Sequence, residues 1–363
     1  MLRSGWTRGK SQLLLCMFAV LVGATAGHLQ AKGSQEPGRE AAQPPQAPLP
    51  IIAYGAPAGP DARLPLALKQ ALRSTPAAYG GGRIIEGSTP HRLIYFTFDD
   101  GPSRRTTPIL LNRLDAAGVK ATFFLTAGRL RGENNLERDQ IEVAQEIVAR
   151  GHSIGNHTVD HLQLPMLTDA QVIAQIEGAE RLFELALGFH PLLVRPPGGA
   201  HTPRIDELLA QRGYTMVLWN LGAGDFQVKT PEEVLDQFVR VLDWREREQG
   251  DRGGVVLLHD THAWSVDAFQ LIWAELQARN CKLLEHGEEL YDIVPDLSFF
   301  YESRGNAPAT ARAAPAHPPP WLLAQRQEKL RAETRQRCAH AHDEAPPSGA
   351  LADHGAGPSS DRP

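Results

Sequence analysis

The sequence predicts an α/β domain with a mainly parallel sheet or barrel, and three observations carry that expectation. Short apolar runs rich in β-branched and aromatic residues alternate with segments of helical period. Helix start and stop signals punctuate them. Proline is also pushed to the ends of the 363-residue chain: 9 of 28 lie in residues 1–88, 9 in 298–363, and only 10 in the 209 residues of 89–297. One compact domain over 89–297 with loose flanks follows, long enough to bury a large apolar core.

Taken in order, Arg3, Arg8 and Lys10 precede the apolar residues 13–26, and Ala24, Thr25 and Ala26 offer small residues for cleavage. Residues 1–27 therefore read as a secretory signal, so export is expected. The apolar run is short for a membrane span, and an uncleaved N-terminal anchor is the only membrane contact foreseen. Residues 28–88, rich in Pro, Ala and Gly, read as a linker and lead-in. LIYFTF (93–98) is strand-like, 108–117 has helical spacing with Gly118 as its stop, and 121–126 is strand-like again. Ile141, Ala144, Ile147 and Val148 mark a helix ending at Gly151; Thr168 and Gln171 form a capping box; Thr230-Pro231-Glu232-Glu233 opens another helix. Residues 192–194, 215–218 and 255–258 are further strand-like runs. Residues 298–363 return to Pro and Ala, interrupted by a charged, helix-compatible stretch at 321–337 to which no fold is assigned.

Composition narrows the chemistry. With 22% charged and 42% hydrophobic residues the chain is not disordered throughout, and a formal charge of -5 gives no broad basic field, so nucleic acid is not an expected partner. Three cysteines make neither a disulfide framework nor a CxxC zinc site, so any metal is held by histidines and carboxylates. Cys281 reads as a small buried hydrophobe, and an oxidising compartment leaves pairing with Cys338 open.

In parallel α/β folds the chemistry gathers at the C-terminal ends of strands, which makes the polar residues just after each strand the candidates. TFDDGP (97–102) puts Asp99 and Asp100 there; side chains alternate along a strand, so the two should do different jobs. Alone, DDGP is also an ordinary turn with a capping acid. His157 and His161 stand at i and i+4, ~13 Å apart if extended but within joint reach of one ion on a helical turn. With a carboxylate from another strand they would supply three N/O ligands and leave positions open for water and substrate. RPPGG (195–199), Asp225-Phe226 and LLHD (257–260) follow; an arginine beside a catalytic carboxylate holds it ionised, and His259 suits a general acid. Taken singly these are a surface ion pair and a core histidine.

Together and in this order, the five clusters resemble the polysaccharide deacetylase family with the NodB homology domain, carbohydrate esterase family 4, over residues 91–297. KATFF (120–124) and GHSIGNH (151–157) add to the likeness. The resemblance implies a distorted (β/α) barrel with fewer than eight strands and a metal-dependent hydrolase. Asp99 is implied as general base, and Asp100, His157 and His161 as ligands of a divalent metal, usually Zn2+, with Co2+, Ni2+ or Mn2+ as other occupants. Arg195 is implied as partner of the base, Asp225 as the acid orienting Arg195, and His259 as general acid. Gly198, Leu257 and Phe226 are assigned to the substrate, with Leu257 lining the acetyl-methyl pocket.

Two departures stand out: Gly198 replaces an aromatic residue, and Asn220 to Gly224 lacks the usual acids, with Phe226 where tryptophan is common. His152, His201 and His262 are expected to be loop or supporting residues rather than ligands. The expected activity is N-deacetylation of N-acetylglucosamine units in an acetylated envelope or extracellular polysaccharide. An O-acetyl esterase of the acetylxylan type and an inactive carbohydrate-binding domain are the rival readings.

Overall fold

The computed structural model describes residues 82–300 and 318–343. The expected signal, residues 28–81 of the linker, and residues 301–317 and 344–363 of the tail lie outside the described residues. Among the described residues no helix is long and apolar enough to cross a membrane.

Among the described residues nine parallel-paired strands form one sheet: β1 (Ile84–Ile85), β2 (Leu93–Asp99), β3 (Ala121–Leu125), β4 (Ser153–Asn156), β5 (Leu193–Val194), β6 (Thr215–Val217), β7 (Leu221–Gly222), β8 (Gly254–His259) and β9 (Asp292–Ile293). Their order is β1-β6-β5-β4-β3-β2-β8-β7, with β9 pairing the start of β2. The sheet curls into a half-barrel walled by helices, the expected class. Its path holds eight strands rather than fewer, but β1, β5 and β7 are only two residues long.

Among the described residues seven α-helices accompany it: α1 (Thr107–Ala117), α2 (Asn135–Ala149), α3 (Asp169–Leu187), α4 (Pro203–Gln211), α5 (Pro231–Gln249), α6 (Ala263–Glu285) and α7 (Pro320–Asp343). Their termini follow local chemistry. Thr168 and Gln171 form the full capping box of α3, Thr230 caps α5, and α1 ends on left-handed Gly118.

Every residue of β2 is buried, as a strand covered on both faces requires. Ile94, Phe96 and Phe98 pack outward with Leu110, Leu114, Phe123, Phe238 and Phe269 in the layer under the helices. Leu93 and Tyr95 belong to the inner core with Phe124, Val217 and Val255. The inner face of β2 therefore reads Leu93, Tyr95, Thr97, Asp99, apolar at the base and charged at the mouth. On β8 the same alternation puts Leu257 and His259 on Val255's face, with Asp99 opposite His259 in register.

The domain does not stop at residue 297. Leu297, Phe299 and Phe300 enter the inner core, and Leu322 and Leu323 of α7 pack against it. Arg326 forks onto both Asp292 oxygens at 2.6 and 2.7 Å, Gln327 exchanges two hydrogen bonds with the Leu290 backbone, and Cys281 is disulfide-bonded to Cys338. The expectation of a loose tail fails here because a charged, proline-flanked helix gains its partners only from the strand and helix it docks on.

Candidate metal centre and catalytic cleft

The strands deliver their polar residues to one mouth. Asp99 is buried at the end of β2, and its Oδ1 accepts from Arg195 Nη1 at 2.7 Å. Arg195, fully buried, also donates to Thr97 Oγ1 at 2.8 Å and to the carbonyls of Val217 and Leu218 at 2.9 and 3.1 Å. Its guanidinium lies 4.1 Å from the Phe124 ring centroid and 5.4 Å from that of Trp219. A buried guanidinium so fully hydrogen-bonded fixes the orientation of Asp99 through Oδ1 and leaves its other oxygen, Oδ2, free of the arginine.

Asp100 leaves the strand through a left-handed backbone, φ 73°. That rotation turns it back, so the two carboxylates converge on one imidazole instead of pointing apart: His157 Nε2 lies 3.7 Å from Asp99 Oδ2 and 3.5 Å from Asp100 Oδ1. Their partners still differ, since Asp100 Oδ1 also lies 3.2 Å from His161 Nε2.

The histidine pair corrects a second expectation. The two rings meet at 4.9 Å between centroids, but on a tight loop rather than a helical turn, with Thr158 at φ 69° and His161 at φ 55°. The loop is held by its own side chains: Thr158 N donates to Asn156 Oδ1 at 2.8 Å and His161 N to Thr158 Oγ1 at 3.1 Å. From α3, Gln175 Oε1 accepts from the Val159 and Asp160 amides. His157 Nδ1 must donate to the Arg195 carbonyl at 2.7 Å, which leaves Nε2 as an acceptor facing Asp100. Burial pulls the His157 pKa below its ordinary value, against the opposing pull of Asp99 and Asp100.

Asp100, His157 and His161 form a group able to hold a metal ion, their ligand atoms all within 4.8 Å of one another. The residues fit such an ion: Asp100 Oδ1 is buried without a hydrogen-bond partner, facing the ring nitrogens of both histidines. Two imidazole nitrogens and a carboxylate are a donor set for a divalent transition metal.

Across the mouth, His259 Nδ1 pairs with Asp225 Oδ1 at 2.9 Å, and the His259 amide donates to Asp225 Oδ2 at 2.7 Å. Asp225 thus orients His259 and not Arg195. It follows β7, the neighbour of β8, whereas Arg195 ends β5 on the other arm of the sheet. Ser265 Oγ and Trp264 Nε1 at the start of α6 also donate to Asp225. Burial by itself would lower the His259 imidazole, but the Asp225 hydrogen bond and charge, with Asp99 and Asp100 behind them, push it up to about 9. Asp225, despite burial, is held below the usual carboxylate value by the same bond.

The substrate candidates ring this site. Leu257 is buried one turn of the pleat below His259, and Phe226 is 64% exposed, its ring edge-on to His259 at 6.2 Å. Gly198 and Gly199 are both left-handed, and a Cβ on Gly199 would come within 2.8 Å of Trp219. A Cβ on Gly198 would meet Gln163 Nε2 at 3.1 Å, so Gln163 borders the place an aromatic side chain would leave from. His152 and His201 pair elsewhere, with the Ala121 amide and with Asp206, whereas His262 borders the site, stacked on the Trp264 ring with its own ring 6.1 Å from that of His259.

Sequence reasoning missed Thr97, Trp219, Trp264, Ser265 and Gln175. Thr97 was readable as the residue two before Asp99 on the same face; the others carry no local signal, because their partners lie in other elements.

Residues 86–217 match the model of the polysaccharide deacetylase family. The chain is 30% identical over 193 residues to the peptidoglycan-N-acetylmuramic acid deacetylase PdaC of Bacillus subtilis, covering 53% of this chain and 38% of that protein. It is 29% identical over 204 residues to a peptidoglycan-N-acetylglucosamine deacetylase of Bacillus cereus, covering 55% and 88%. With chitin deacetylase 1 of Saccharomyces cerevisiae it shares 34% over 170 residues, covering 45% and 50%. The chain thus spans half or less of the Bacillus subtilis and yeast relatives. A solved peptidoglycan N-acetylglucosamine deacetylase covers 66% of this chain with 97% of its own at a TM-score of 0.50 and 22% identity, which marks a shared fold. By these matches residues 86–217, which build β2 to β6 of the half-barrel, are similar to the polysaccharide deacetylase family.

Proposed function

We propose that this protein is an exported, metal-dependent N-deacetylase that hydrolyses acetamide groups on N-acetylglucosamine units of a cell-wall or extracellular glycan. One observation carries the reading: an Arg195-held carboxylate, a His/His/Asp donor set and an Asp225-held histidine converge on one mouth. Peptidoglycan and chitin are the substrates named for its relatives. The N-terminal signal-like residues 1–27 support export.

Asp100, His157 and His161 would hold a divalent cation, Zn2+ first among the candidates. When bound, such an ion supplies Lewis-acid polarisation of the acetyl carbonyl and acidifies water. Asp99 is the general base: Arg195 holds it in place through Oδ1, and Oδ2 takes a proton from the attacking water. His259 is the general acid. It carries protons on both nitrogens at neutral pH, keeps Nδ1 on Asp225, and gives the Nε2 proton to the departing amine. Water adds to the carbonyl carbon, the carbon–nitrogen bond breaks, and acetate and a free amine leave. Leu257 is suited to the acetyl methyl, and exposed Phe226 to a sugar face.

The test is acetate release by the full chain, chelated and then resupplied with zinc, from acetylated chitooligosaccharides, peptidoglycan and acetylxylan in parallel. Zinc-restored release from an amide substrate is expected. Release from acetylxylan alone would replace this reading with an esterase, and sugar binding without release would replace it with a binding domain.

A further inference from the structure

The ladder between β2 and β8 ends at Asp99 opposite His259. The residue just past the end of β8, Asp260, has no role in the chemistry above, yet it is completely buried. Its carboxyl group accepts from Thr107 Oγ1, which itself accepts from the Ser103 amide at 2.9 Å. Its carbonyl accepts from Thr106 Oγ1 at 2.5 Å. These partners lie immediately after the turn that carries Asp100. The carboxyl group also lies against Gly101 so closely that a Cβ there would collide with both of its oxygens. On the other side of the turn the Gly101 carbonyl accepts from the Thr126 amide at 3.0 Å.

Asp100 needs such support. A non-glycine residue at φ 73° persists where its surroundings impose that conformation. We propose that Asp260 is a positioning residue for the metal ligand Asp100, its carboxyl group being the floor beneath the Asp100-Gly101 turn. Thr106 and Thr107 fasten that floor to the segment beyond, and Asp260 directly follows His259 at the end of β8. One oxygen, Oδ1, has no hydrogen-bond partner, and a polar atom buried unpaired is costly. A group kept at that cost beside the turn is consistent with a positioning role rather than with packing.

This inference rests on the metal reading above, and the test separates the two. Zinc binding by the metal-stripped full chain is titrated calorimetrically, with circular dichroism recording whether each variant is folded. Asp260→Ala should weaken zinc binding by about 10–100-fold, the usual effect of losing a group that orients a ligand. Asp260→Asn, which keeps the shape and the oxygen facing Thr107, should bind close to wild type, and Thr107→Val should fall between. Wild-type zinc affinity in folded Asp260→Ala and in Thr107→Val would overturn the proposal; should Asp260→Ala fail to fold, Thr107→Val alone decides it. A wild-type chain that binds no zinc would overturn the metal reading itself, and the proposal with it.

Discussion

The two ends of the half-barrel are built on opposite terms. At the C-terminal ends of the strands, Asp100, Thr158 and His161 are left-handed, two carboxylates share one histidine, and two buried carboxylate oxygens, Asp100 Oδ1 and Asp260 Oδ1, lack hydrogen-bond partners. At the other end charges meet opposite charges. Arg92 pairs with Glu246 and Glu288 at 2.8 and 2.9 Å, Arg252 with Glu289 at 3.1 Å, and Arg326 with Asp292, while a disulfide joins α6 to α7. The contrast teaches a division of labour: strain and convergent charge are concentrated where chemistry is proposed, and the closing contacts that offset them lie at the far rim.

Substitutions can break that comparison. The largest effect is expected for Asp99→Asn, which removes the base but leaves the Arg195 contact through one oxygen. Acetate release should fall about 10²–10⁴-fold, and a variant retaining near wild-type kcat would remove Asp99 from the mechanism. At the opposite rim, Cys281→Ser with Cys338→Ser should cost about 2–4 kcal/mol in denaturant unfolding while leaving kcat and KM unchanged. A matching loss of activity would show that the two ends are coupled.

The pH response sharpens the comparison on the catalytic side. His259 stands at about 9 in the fold against an ordinary 6.5. A histidine raised in this way contributes its stabilisation fully below 6.5 and loses it as pH rises through about 9. The metal-free protein should therefore lose up to about 3 kcal/mol between those limits. Asp225→Asn should flatten that slope in urea titrations and move the basic limb of kcat to lower pH; an unchanged limb would separate His259 from proton delivery. The smallest effect is expected at the rim of the cleft. Phe226→Ala should raise KM with kcat and thermal stability held, by about 0.5–1.5 kcal/mol in kcat/KM. An unchanged KM would take the ring out of the sugar contact.

Much of the site was legible before any fold. TFDDGP, HTVDH, RPPGG and LLHD mark four strand ends, and the inward series Leu93, Tyr95, Thr97, Asp99 follows from the two-residue period of a strand. Asp225 was legible as a site residue, but its partner was not. Adjacency of β7 to β8 makes it the partner of His259, and sheet order is not written in local pattern. The HxxxH spacing was misread as a helical turn because ligand convergence can equally come from left-handed residues, here Thr158 and His161, held by Asn156 and a glutamine from α3. The tail helix was illegible for a similar reason, since its anchors, Asp292, Leu290 and Cys281, lie in other elements.

The sequence by itself determined the α/β alternation, the helix caps and the residue types available to the site, because these follow from short-range periodicity and backbone chemistry. Only the tertiary structure decided which acid serves which base, how Asp99 and Asp100 come to share His157, and that α7 closes the far end. Each of these depends on distances between residues 30 to 100 positions apart, which are set by the order in which strands pair.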